Sequence, residues 1–301
     1  ACRIAFGSGT SEQSIFNTTI YVLRSLQSGK KIPLLLDEVK AFALKHNELN
    51  HMGILQLFLA PIYKSLSNLS GITFDPSTIL PQLATAPSYD VVQTAIAKNE
   101  LVFVRAAVVI GFAESLFLRD FAKAYTTMTL YPNFFTVLDD MQHLKITEFE
   151  FTFIAGMLSL HWARETREVH WMQRGMNAVA AYEDWAKISP WDCNHRYHML
   201  KAELHHTQGD TNGAIESFDA AIANTKKHNN SSHEALACEF AAHFYDSIGN
   251  NAKTKEMIQQ SHDAYVRWGA AKKALALMKL LQQVPSAVPS ASVPGPGMSF
   301  L

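Results

Sequence analysis

The side chains of this chain best equipped for chemistry are its 13 histidines. They are densest where His195, His198, His205 and His206 fall within three helical turns. His195 and His198 are one turn apart, and His198 and His205 share a face with Glu203 nearby. Zinc needs such convergence at defined spacing. Neither HisxxxHis nor His-Glu-x-x-His occurs, so these residues read as polar histidines on one wall, with no metal or other cofactor expected. Cys193 lies two residues before His195. Side chains two apart on a helix point different ways, which argues against a thiol–imidazole pair. Trp162, Trp171, Trp185, Trp191 and Trp268 offer an aromatic cage, but helical spacing makes them core residues first. A small-molecule pocket between helices, if one exists, is expected at Trp162, Trp171 and His195.

Other chemistries lack their parts. There is no Gly-x-x-x-x-Gly-Lys-Ser/Thr loop, and Gly7-Ser8-Gly9 follows no strand. The glycine loop, catalytic Asp and metal-binding Asp of a kinase are missing too. No catalytic residue is therefore assigned, and this segment is not expected to be an enzyme. Basic and acidic residues number 26 and 27, the net charge is −1, and no block of five like charges occurs. That excludes a basic stripe for nucleic acid, since Lys30-Lys31, Lys226-Lys227 and Lys272-Lys273 are only isolated pairs. Three cysteines without a CxxC pair fit reduced thiols in a cytoplasmic protein. Leu101–Leu118 is apolar but interrupted by Arg105 and Glu114, which makes it a buried helix and not a membrane span. Charged residues are only 18%, so much of the surface is uncharged and suits contact with a protein partner or a neighbouring domain.

The elements that must position these groups are helices. Apolar residues recur at three- and four-residue spacing, without long alternating runs. Ile15, Thr19, Val22 and Leu26 share one face. Pro33 opens a second helix carrying Leu36, Val39, Phe42 and Leu44, and a third runs from Met52 to Leu69 with Gly71 as a left-handed cap. Prolines 76, 81 and 87 mark a connection that subdivides the chain near 72–88. Breaks are expected near Asn99, Arg119, Pro132, Lys145, Ser189-Pro190, Gly209, 228–232 and Gly249. The helical region spans 1–283, and 284–301 is a Pro/Ser/Ala-rich tail or linker expected to be disordered.

Two turns repeat a pattern. Gly209-Asp210 leads to Ala214, Phe218 and Ala221, with Ala202 seven residues before the glycine. Gly249-Asn250 leads to Ala252 and Ile258. Small residues let paired helices approach, and the next hairpin covers what one pair leaves exposed. The expected fold is all-α, an α-solenoid of divergent tetratricopeptide-like hairpins. Tyr265, Trp268, Gly269 and Ala270 form a further joint: two rings for burial, a glycine for the turn, an alanine for close approach. The turn Gly7–Thr10 has only a stub before it, as if the chain began inside a longer protein.

Four segments, in order, resemble one family. Asn68-Leu69-Ser70-Gly71 with Asp75-Pro76 is similar to its Asn-Leu-x-Gly…Asp-Pro stretch. Asp192–Glu203 resembles its Asn-Phe-x-His-Lys-Tyr-x-Leu-x-x-Ala-Glu segment, with Asp192 and Cys193 replacing Asn-Phe. Glu234–Tyr245 resembles its Glu-Ala-Leu-x-x-Glu-x-Ala-x-x-Phe-Tyr helix, and Tyr265–Lys273 its Tyr-x-x-Trp-Gly-Ala-x-Ala-Lys joint. The family is the tetratricopeptide-like region that follows an AAA-type ATPase in large multidomain signalling proteins, often with serine/threonine kinase, GAF and histidine kinase domains. The resemblance implies a non-catalytic module for protein–protein interaction or intramolecular regulation. Two alternatives are a small-molecule sensor and a fragment of an enzyme, kinase or cyclase, whose catalytic domains lie elsewhere.

Overall fold

The computed structural model describes residues 11–72, 97, 101–130 and 145–285. The turn at Gly7–Thr10, most of the connection at 72–88, the breaks at Asn99 and Pro132, and the tail from 286 lie outside the described residues. Twelve helices and no strand occur among those described. The first five are α1 (Ser11–Gln27), α2 (Ile32–Glu48), α3, α4 (Leu101–Leu118) and α5 (Phe121–Leu130). Helix α3 is continuous through Met52–Ile54, a π-helical stretch Leu55–Leu59, and Ala60–Ser70. Then follow α6 (Lys145–Thr166), α7 (Val169–Ile188), α8 (Pro190–Gln208), α9 (Thr211–Lys227), α10 (Ser231–Ser247), α11 (Asn251–Trp268) and α12 (Ala271–Gln283).

From α6 onward each helix packs on the next, across turns of one to three residues. Helix α8 also touches α6 and α10, so the first helices of successive hairpins stand in a row. This pairing is compatible with a helical solenoid. Local chemistry sets the turns. Asp210, Asn230 and Asn250 each accept a hydrogen bond from the backbone N–H three residues on, at 3.0, 3.1 and 3.1 Å. Such caps satisfy a donor that the helix leaves free. Ala202, Ala214, Phe218 and Ala221 are fully buried, as the small-large-small pattern requires. No helix of the described residues is long and apolar enough to cross a membrane. Leu44 lies on α2 as expected but is exposed, facing away from the core.

The N-terminal helices do not extend this row; they lie on it. Helix α3 packs on α12 and α4 on α6. The turn between α1 and α2 docks at two of the array's turns. Asn230 Nδ2 donates to Gln27 O at 2.9 Å, and Trp268 Nε1 donates to Lys30 O at 3.1 Å. Gly269 shows how close this approach is. Its φ is +92°, and a Cβ there would come within 2.7 Å of Pro33 Cδ. The joint at Tyr265–Ala270 is therefore a buried turn, with Tyr265 and Ala270 fully enclosed, and also the seat of the α1–α2 turn. The second role has no signal in the sequence. All described helices share one hydrophobic core, from Val22 to Leu277.

Candidate functional site

Charged side chains cluster along the row formed by α6, α8 and α10, to which α12 contributes Lys273. Arg164 Nη2 of α6 bonds Glu203 Oε2 of α8 at 2.6 Å, and its Nη1 reaches Thr207 Oγ1 at 2.9 Å. On α10, Glu239 accepts from Lys273 Nζ of α12 at 2.6 Å and from Tyr265 OH of α11 at 2.8 Å. Both carboxylates are almost fully buried. Burial raises a carboxyl pKa, but at Glu203 Arg164 and His206 outweigh it and hold the group at about 2. His161 and His243 are pushed down to about 4, by burial first and then by nearby cations.

Arg119 enters this cluster from the turn between α4 and α5, where its φ is +57°. Its guanidinium lies 5.0 Å from the centroids of both Phe121 and Phe240. Phe121 stacks on His161 with centroids 3.9 Å apart. The Arg119 side chain has no hydrogen bond or ion pair among the described residues, and its Nη1 is buried without a partner.

A second polar group ties α1 to the array. Asn230 Oδ1 accepts from Ser232 Oγ and from the His233 N–H, so Nδ2 is its donor. That amide donates to Gln27 O and faces His233 Nδ1 at 3.2 Å, making Nδ1 an acceptor. His195 Nε2, 2.8 Å from the same Nδ1, must then carry a proton. Both rings are held neutral: burial drives their pKa values well down, and Arg196 adds to it. Arg196 is itself fixed by Glu150 at 3.0 Å and the Asp192 carbonyl at 2.8 Å.

Beside this chain lies a cleft of about 380 Å³, lined among others by Tyr21 and Arg24 of α1, Trp191 and His195 of α8, and His228 and Asn230 of the next turn. Trp191 is 62% exposed, with its ring 3.8 Å from that of His228. Of the residues expected to line a pocket, His195 does so; Trp162 and Trp171 do not line this cleft. They pack on each other at 4.8 Å and against Tyr125. Cys193 is buried, and burial raises its thiol pKa, the reverse of what a nucleophile needs. His205 faces Asp210 at 2.8 Å and His206 faces Ser247 at 3.2 Å. No group of three or more potential metal ligands occurs among the described residues.

Sequence reasoning passed over Arg119, Arg164, Glu239 and Asn230 as chemistry. One signal was present: Glu239 is the only charge in the run Ala235–Ala242, and a lone charge in an apolar helix must find a partner. No family model, curated protein or solved structure matches the chain.

Proposed function

We propose that this chain is a non-catalytic helical-repeat module of tetratricopeptide-like hairpins, which works by protein–protein contact and is regulated within its own polypeptide. The observation that carries this reading is the docking of α1 and α2 onto the array through Asn230–Gln27, Trp268–Lys30 and the Gly269–Pro33 approach. A solenoid recruits partners with the surface its repeats build. Here the chain's own helices occupy part of that surface, as an intramolecular regulator would. The sequence resemblance supports a position behind an ATPase in a large cytoplasmic signalling protein.

The test compares the full chain with Asn230→Ala as baits against purified ATPase domains of the resembled class. Stronger capture by the variant supports regulation by α1 docking. Equal capture makes the module a constitutive scaffold, and no capture by either bait sinks the reading. A small-molecule sensor is the second reading. It rests on the cleft between α1 and α8, where an exposed indole faces two histidines and Arg24. A ligand there would bridge α1 to the array and reinforce the same docking.

A further inference from the structure

The charged row does not balance. Three cations, Arg119, Arg164 and Lys273, meet two carboxylates, Glu203 and Glu239, and each carboxylate already holds a cation of its own. Glu114 of α4 is engaged by Lys123 at 3.2 Å and Asn68 at 2.6 Å. Asp120 is exposed and caps α5 through the Lys123 N–H at 3.0 Å. Arg119 thus has no carboxylate of its own among the described residues and only shares the fields of Glu239 and Glu203. A cation withdrawn from water is costly unless paired. Two aromatic rings compensate part of that cost, but a ring offers no acceptor to the N–H donors of the guanidinium. Those donors form a fork that matches a carboxylate. Arg119, His161, Arg164 and His243 are each only partly buried, and because Arg119 Nη1 is enclosed an incoming group must approach the guanidinium through its other donors.

We propose that Arg119, held between Phe121 and Phe240 against the row of α6, α8 and α10, is a binding site for one carboxylate group, supplied by a small organic acid or by the carboxyl end of a peptide. His161 and His243 flank the site and stabilise the bound anion by taking up protons. The inference rests on charge balance and geometry in the row and not on α1 docking, so its failure leaves the regulatory reading standing.

The test uses the full chain. Succinate and the peptide acetyl-Ala-Ala-Asp are titrated while the melting temperature and the His161 and His243 ring pKa values, by NMR, are followed. The expected result is a saturable melting-temperature rise of about 3 °C at roughly tenfold excess over Kd, with both histidine pKa values rising. Arg119→Met should abolish both responses. Arg119→Lys, which keeps the charge but not the fork, should weaken binding about tenfold or more. A response to both probes assigns an isolated carboxylate site, and a response to the peptide alone assigns a peptide groove. Unmoved histidine pKa values in the wild type with both probes overturn the proposal, whatever the variants do. In carboxylate-free buffer Arg119→Met should melt within about 2 °C of the wild type. A much larger loss would mean the guanidinium is already compensated, which also overturns it.

Discussion

Helices α9, α10 and α11 each begin at a side chain that caps the first turn, while α2 and α3 begin with no side-chain cap at all. At these three turns the array stops and restarts by local rules, a left-handed glycine or asparagine followed by the Asp or Asn that caps the next helix, whereas α7, α8 and α12 begin without a side-chain cap. The N-terminal helices find their place by fit. Their turn sits on Gly269 and Trp268, and α3 carries a π-helical stretch, Leu55–Leu59, in which Leu55, Leu57, Phe58 and Leu59 are all buried. The difference teaches that two kinds of information hold one core together, and that they should fail separately.

The largest expected break is Trp268→Ala. It removes a buried indole and the bond to Lys30 O, at a cost of about 3–5 kcal/mol. Hydrogen exchange should then rise in α1–α3 more than in α8–α9. Equal rises would mean that the two regions do not come apart.

Acid should act next. His46 of α2, fully buried, meets Thr18 Oγ1 of α1 at 3.0 Å and is pushed down to about 4 by burial and by His51. Its folded pKa lies below the unfolded 6.5, so its share of stability is present above 6.5 and is lost as pH falls towards 4. Glu203, held at about 2 against an ordinary 4.5, loses its share only between those values. Each is worth on the order of 3 kcal/mol. Urea unfolding at a series of pH values should therefore show a decline beginning below pH 6.5 and a further one below 4.5. His46→Gln should shrink the first step and leave the second. A variant with an unchanged first step would refute the role of His46.

Asn230→Ala should cost about 2 kcal/mol, against about 1 for Asp210→Ala or Asn250→Ala. All three are caps, but only Asn230 also ties α1 and the His233–His195 chain. Equal losses by chemical denaturation would remove the tie to α1 from the account. The smallest effect separates two glycines. Gly209→Ala, with nothing within 4 Å of the new Cβ, should cost about 1 kcal/mol for its left-handed φ alone. Gly269→Ala adds the collision with Pro33 and should cost about twice that, with α1–α2 loosened.

By itself the sequence determined an all-helical chain, its punctuation and its small-large-small interior. Gly71, Gly209, Gly249 and Ser189-Pro190 fall at helix ends, because caps and left-handed turns are written within a few residues of where they act. It named His195, which lines the cleft, but not Trp191, since the indoles of Trp191, Trp162 and Trp171 look alike until packing assigns them. Only the tertiary structure decided that α1 and the turn after it close back on turns 203 and 238 residues further along the chain. It alone decided that Glu239 bonds Lys273 while the Arg119 side chain bonds no carboxylate among the described residues. Helical periodicity tells a residue to be buried. Which distant side chain it is buried against depends on how whole helices fit, and no local pattern encodes that.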